Sequence, residues 1–286
     1  MKSTLLIIFA TMAMLVFSAC SLKDKKNNDK KETAKIITFA EMYHFKYHTI
    51  VQNLPRDCAG NSLEEKLYWL NQGEENLLRP IKVSLDDEAK IGAQVHQCFK
   101  EKAGFTEGAD QQRVQAIVDK MKPFLTRKEL NIKAYIVNLP YENAFACPGG
   151  YMYVTKPLLD AFSTDELACV IGHELSHLEN KHCNVHIKKY KLMGGFLTNL
   201  LSIFTQSLSQ RNELEADLGG VYLTAQAGYN PKGSVAAFNR WAAQEGKHSN
   251  LERLFRSHPY SSQRVMCIEA YLKDAKKKAE NLAKIQ

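Results

Sequence analysis

Apolar and polar positions divide this chain into stretches of different texture. Leu5 to Phe17 is a nearly unbroken apolar run behind Lys2. Residues 21–35 are polar and dense in charge, with no apolar period, a pattern that stays extended. Residues 36–80 read as helical and amphipathic in parts, broken at Pro55 and at Gly60-Asn61 and closed by Pro80. Beyond that point helix and strand patterns alternate. Ser84-Leu-Asp-Asp-Glu opens a helix to about Lys102, its acids complementing the dipole, and Gly104 ends it. A second helix covers Asp110 to Met121 and is stopped by Pro123. Asn131 to Leu139 is rich in β-formers and predicts a strand. After a turn at Pro140 the β pattern resumes at Asn143, breaks at Pro148-Gly149-Gly150 and continues from Tyr151 to Thr155. Ser163 with Glu166 three residues later is a capping-box signature, so a helix begins at Thr164 and runs to about Asn180. Another runs from near Ser207 to Gly228, where Gly-Tyr-Asn-Pro stops it, and two C-terminal helices complete the chain.

The first stretch changes the compartment. An apolar run this short, with Lys2 before it and Ser18, Ala19 and Cys20 after it, reads as a secretory signal peptide over residues 1–19. Phe17-Ser18-Ala19-Cys20 resembles the bacterial lipobox, in which the cysteine is lipidated, with Phe17 where the pattern prefers Leu. Residues 20–35 then suit a tether between a lipid anchor at Cys20 and a folded domain. No later stretch reaches the roughly 18 apolar residues that span a bilayer. The expected location is the bacterial cell envelope, on the periplasmic face of a membrane and anchored to it by lipid.

The net charge of +7 disappears once it is located. Lys2 adds one, residues 23–35 carry six Lys against three acids, and 271–286 carry five against two, which accounts for all of it. A body near neutrality offers no face for phosphates, so no nucleic-acid partner is expected. Seven cysteines include no C-x-x-C, which removes support for thiolate zinc or thioredoxin chemistry. Cys58–Cys98 is the expected bridge, and Cys147 and Cys169 are expected to pack as small buried groups.

The chemistry is concentrated in His173-Glu174-Leu175-Ser176-His177. A spacing of four puts both imidazoles on one helix face, where two nitrogens reach a single ion. Glu174 is rotated by roughly 100° from His173, close enough to touch a metal-bound water. The bland alternative is two surface histidines on an amphipathic helix; Val170, Ile171, Gly172 and Leu175 around them argue for a buried face. Zinc needs a third ligand. A histidine six residues on, as in metzincins, fails because Cys183 stands there. A carboxylate on a later helix remains. Glu213 and Asp217 share a face four apart, so Glu213 can bind the metal while Asp217 accepts the second N–H of a ligand histidine. Glu215 points elsewhere and reads as a surface or packing residue. His44, His48, His96, His186 and His248 have no constellation around them.

Four stretches together resemble the gluzincins of the CaaX-prenyl-protease and heat-shock membrane protease type, including their soluble periplasmic lipoprotein relatives. These are Asn143-Ala-Phe-Ala-Cys-Pro-Gly-Gly-Tyr-Met-Tyr-Val, Asp165 to His177, Glu213-Leu-Glu-Ala-Asp with Ala227-Gly-Tyr-Asn-Pro, and Ser257-His258-Pro259 with Arg264. The resemblance implies a mainly α fold with a small antiparallel β-sheet at the active site, the zincin (gluzincin) metalloprotease fold. It implies one Zn²⁺ on His173, His177 and Glu213 (not Glu215), with Glu174 as catalytic base and Asp217 supporting the site. Asn143, Ala144, Phe145 and Ala146 look like an edge strand that pairs with an extended substrate. His258 is placed at the active site, as an oxyanion donor or a resting-state zinc ligand, with a structural role as the alternative; Arg264 carries the same choice. His182 matches the family pattern but lies off the ligand face and is expected not to bind metal.

The domain division expected is a leader over 1–19, a tether over 20–35, a helical extension over 36–83 that can act as an interaction arm, and a zinc metallopeptidase domain over 84–286. The function expected is a zinc-dependent endopeptidase acting on unfolded or misassembled envelope proteins, in quality control. The rival is a zinc-containing chaperone or assembly factor with an occluded site, in which Gly194 to Ser209 forms a lid or partner-binding helix.

Overall fold

A computed structural model describes residues 77–194, 208, 210–243 and 262–285. The leader, Cys20, the tether, most of the helical extension, Cys58, nearly all of the expected lid and His258 lie outside the described residues.

In chain order the elements are α1 (Leu85–Lys102), β1 (Phe105–Thr106), α2 (Ala109–Met121), a 3₁₀ turn (Lys122–Phe124), β2 (Lys133–Val137), β3 (Ala144–Cys147) and β4 (Tyr151–Thr155). There follow α3 (Lys156–Ala161), α4 (Thr164–Glu179), α5 (Asn184–Leu192), α6 (Gln210–Gln226), α7 (Gly233–Ala242) and α8 (Ser262–Ile285). The capping box expected at Ser163 forms, and Ser84 makes a second one. Ser84 Oγ accepts from the Asp87 N–H at 3.1 Å, and the Ser84 N–H donates to Asp87 Oδ2 at 2.8 Å. Ser163 and Glu166 make the same exchange at 3.3 and 2.8 Å. Two helices were not legible in advance: α3 is too short to show a period, and α5 carries a weak one.

The sheet corrects one expectation. Its order is β1-β2-β4-β3, and β2 pairs with β4 in parallel, so it is mixed rather than antiparallel. The chain leaves β2, passes to the outer edge as β3, turns at Pro148-Gly149-Gly150 and returns as β4 between the two. Burial explains the order. In β4 every residue but Tyr151 is buried, as suits a central strand covered on both faces. Alternation along the strands feeds two cores: Ala134, Ile136, Ala144, Ala146, Met152 and Val154 face the main core, while Val137, Cys147 and Tyr153 face Val95 and Phe99 of α1.

The main core is completed by α2, α4, α6, α7 and α8. Helices α4 and α6 approach unusually closely because each puts a glycine at the crossing. A Cβ on Gly172 would lie 2.8 Å from the Gly220 carbonyl oxygen, and one on Gly220 would lie 2.7 Å from the His173 backbone nitrogen. The C-terminal end of α4 is held by Arg127, which donates to the Leu178 carbonyl at 2.9 Å and to Glu88 Oε2 of α1 at 2.8 Å, both side chains buried.

The expected Cys58–Cys98 bridge is not made: Cys98 carries a free thiol, as do Cys147, Cys169 and Cys183, whereas Cys267 is disulfide-bonded. Cys147 and Cys169 are buried, as expected.

His186, on α5, is buried, and that burial, with Lys189 adding to it, pulls its imidazole down from 6.5 to about 4. The folded state therefore keeps this ring neutral where the unfolded chain binds a proton. Its stabilising effect is complete above the unfolded value and is lost as pH falls from 6.5 toward about 4, by about 3 kcal/mol. Urea unfolding of His186→Leu should show a shallower loss of stability across that window than the parent. An equal slope in both would remove His186 as its source.

Candidate metal centre

Helix α4 carries His173, Glu174 and His177, and α6 carries Glu213 and Asp217; all five are buried. The close helix crossing brings them together. His173 Nε2 and His177 Nε2 lie 3.0 Å apart, and each stands 3.6 Å from a different oxygen of Glu213. Among the described residues this is the one group of three or more candidate ligands whose donor atoms converge.

A second layer fixes the first. His173 Nδ1 lies 2.9 Å from Asp217 Oδ1. Arg264 of α8 grips that carboxylate at both oxygens, Nε to Oδ2 at 2.8 Å and Nη2 to Oδ1 at 2.6 Å, and its Nη1 lies 3.1 Å from Glu213 Oε2. The guanidinium rests 4.5 Å over the Phe238 ring. Burial alone would push Asp217 up, but the Arg264 charge and hydrogen bonds, with His173 beside it, hold it below the ordinary carboxylate range. An ionised Asp217 can only accept, so His173 carries its proton on Nδ1 and turns a lone pair on Nε2 toward His177 and Glu213. Such a convergence of acceptors in a buried place is what a cation resolves, and two imidazoles with one carboxylate suit zinc. Asp217 and Arg264 thus form one bidentate pair behind His173.

Glu174 is turned toward the sheet. Its Oε2 accepts from the Ala146 N–H at 3.0 Å, while Oε1 lies 4.0 Å from His173 Nε2. Strand β3 is the sheet edge. The Asn143 carbonyl accepts from the Thr155 N–H at 3.0 Å, so antiparallel alternation turns the backbone of Asn143 and Phe145 toward β4, and that of Ala144 and Ala146 toward the site. Of the four expected substrate-strand residues, two thus turn main chain away from β4. The Ala146 carbonyl is met by the Cys183 thiol at 3.8 Å.

Residues 108–272 match peptidase family M48. The chain belongs to that family. It is 30% identical over 168 residues to the mitochondrial metalloendopeptidase OMA1 of Schizosaccharomyces pombe, which covers 53% of this chain and 50% of that protein. It is 27% identical over 176 residues to metalloprotease LoiP of Escherichia coli, covering 54% of this chain and 68% of that one. Over a shorter stretch of 53 residues it is 45% identical to protease HtpX homolog 2 of Sulfurisphaera tokodaii, 17% of this chain and 16% of that protein. The chain spans about half the length of the yeast relative.

The mainly helical family M48 domain built on a four-stranded sheet agrees with the zincin-like fold expected. Among the described residues no thiol joins the converging ligands, and burial, with Glu174, Glu88 and Glu213 adding to it, pushes Cys183 up to about 12. Glu215 and His182 meet beside the ligands. Glu215, read as surface or packing, lies with Oε2 3.2 Å from His182 Nε2, and His182 Nδ1 lies 2.8 Å from His177 Nδ1. His182 is not among the converging ligands, as expected, yet it touches one. A histidine five residues past the second ligand was the available signal; the chain turn that brings it back was not.

Proposed function

We propose that this chain is a zinc-dependent endopeptidase. The observation that carries the reading is the convergence of His173, His177 and Glu213 beside Glu174, which is itself hydrogen-bonded to the edge strand. Zinc bound there supplies Lewis acidity, polarising a water and a peptide carbonyl. The chain's own residues do the rest. Glu174 takes the proton from the attacking water through the oxygen not committed to Ala146 and later delivers it to the leaving amine. Ala144, whose main chain turns away from β4 on the sheet edge, offers its backbone groups to an extended polypeptide, as an added strand. Asp217 and Arg264 hold His173 and Glu213 in place.

Unfolded or misassembled envelope polypeptides are the proposed substrates, with Cys20 lipidated, residues 20–35 as tether and the domain on the periplasmic face. Support comes from the lipobox-like Phe17-Ser18-Ala19-Cys20 and the similarity to LoiP. Among the described residues no helix is long and apolar enough to cross a membrane. The division at residues 36 and 84, and His258 as an active-site group, belong to the same proposal.

Burial of all four groups of the centre favours a second reading, a zinc-holding chaperone or assembly factor with an occluded site. Chelation separates the two. Stripping zinc with 1,10-phenanthroline should abolish casein cleavage, and one equivalent of zinc should restore it. A zinc-loaded chain that cleaves neither casein nor an unfolded envelope protein would put the chaperone reading first.

A further inference from the structure

We infer that His182 and Glu215 form a relay that fixes the tautomer and direction of His177, and so are positioning residues for a metal ligand. The inference rests on the zinc reading only in its last link. A carboxylate accepts, so Glu215 Oε2, 3.2 Å from His182 Nε2, places the His182 proton on that nitrogen. With its one proton placed there, the His182 ring offers Nδ1 as an acceptor. Its contact with His177 Nδ1 at 2.8 Å needs one donor, and His177 must provide it. His177 Nε2 is left with a lone pair, facing His173 Nε2 at 3.0 Å and Glu213 Oε1 at 3.6 Å. Each ligand histidine thus ends in a carboxylate: His173 directly in the buried Asp217, His177 through a second imidazole in the partly exposed Glu215.

The backbone is bent to make this possible. Just past α4, Lys181 has φ 58, the only non-glycine with positive φ among the described residues. That conformation costs roughly 1–2 kcal/mol. It turns the chain so that the His182 N–H donates to the His177 carbonyl at 3.0 Å and the His182 ring returns over the His177 ring, centroids 4.9 Å apart. The same turn caps α4, the Lys181 N–H donating to the Leu178 carbonyl at 3.2 Å, and it leaves the His182 ring against a ligand.

The test uses the full chain with ¹⁵N-labelled histidine, stripped of zinc, with resonances assigned through His177→Gln and His182→Gln. The long-range ¹H–¹⁵N spectrum should show His177 protonated at Nδ1 alone and His182 at Nε2 alone. Zinc affinity, read by competition with a chromophoric chelator, should fall about 10–100-fold in His182→Phe. Glu215→Lys, which offers only donors, should fall as far, whereas Glu215→Gln, whose amide oxygen still accepts, should stay within a few-fold of the parent. A proton on His177 Nε2, a doubly protonated His182, or a folded His182→Phe that binds zinc like the parent would each overturn the relay. If His182→Phe does not fold, the spectrum of the unaltered chain decides alone. If the unaltered chain binds no zinc at all, the protease reading falls, and the tautomers still decide the relay.

Discussion

Glu174→Gln should retain one zinc per chain and lose casein cleavage by a factor of about 10²–10⁴, the usual range for removing a positioned general base. The substitution isolates proton transfer. Gln has the same volume as Glu, and its amide oxygen can still accept from the Ala146 N–H that now meets Glu174 Oε2 at 3.0 Å, so the join between α4 and β3 survives. The three converging ligands, His173, His177 and Glu213, are untouched. Only the basicity goes. Zinc content by atomic absorption and cleavage of labelled casein, measured side by side, check both halves. A variant cleaving within a few-fold of the parent would remove Glu174 from the role of base; one that loses zinc would make it a support of the metal instead.

Gly220→Ala should be nearly as damaging although it touches no ligand side chain. The added methyl would stand 2.7 Å from the His173 backbone nitrogen and 2.9 Å from its Cα, closer than real Cβ contacts come, and both atoms belong to a helix that cannot yield locally. Helix α6 must move away from α4. Glu213 lies on α6 two turns before Gly220, and Asp217 one turn before, so the shift opens the contacts that gather the ligands. Overpacking costs about 1–3 kcal/mol in stability, and metal affinity should fall by about 100-fold. Gly228→Ala is the control. That glycine has φ +80 with nothing within 4 Å, so alanine there meets backbone strain of roughly 1–2 kcal/mol and leaves the centre alone. Thermal unfolding with and without zinc, beside chelator competition, reads both effects. Equal zinc affinity in the two variants would sink the claim that the glycine crossing sets the site.

These two substitutions also separate what was legible in the amino-acid order from what was not. The base and the two histidines sit within five consecutive residues of one capped helix, and helix geometry alone puts both imidazoles on one face. Local rules reach that far. Glu213 was reachable only as a candidate, because nothing in spacing says that α6 lies against α4; the glycines matter only at the crossing itself, where an added Cβ would fall 2.7–2.8 Å from the facing backbone. Asp217 was a plausible support for a ligand histidine, but its grip by Arg264, 47 residues away, is a product of packing.

The misses share a cause. The antiparallel sheet was what the resemblance implied; the parallel β2–β4 pair arises because β4, the strand buried on both faces, takes the central place and leaves β3 at the edge beside Glu174. Helical spacing alone puts His182 and Glu215 off the ligand face. The left-handed turn at Lys181 carries His182 out of helical register and against His177, and α6 brings Glu215 to meet it. The order of residues thus determined the motif, the caps, the strand and helix stretches and the chemistry of the donors, since each depends on neighbours a few positions apart. Which carboxylate reaches which histidine, and which strand lies beside Glu174, depended on contacts between residues far apart in the chain, and only close packing in three dimensions decided those.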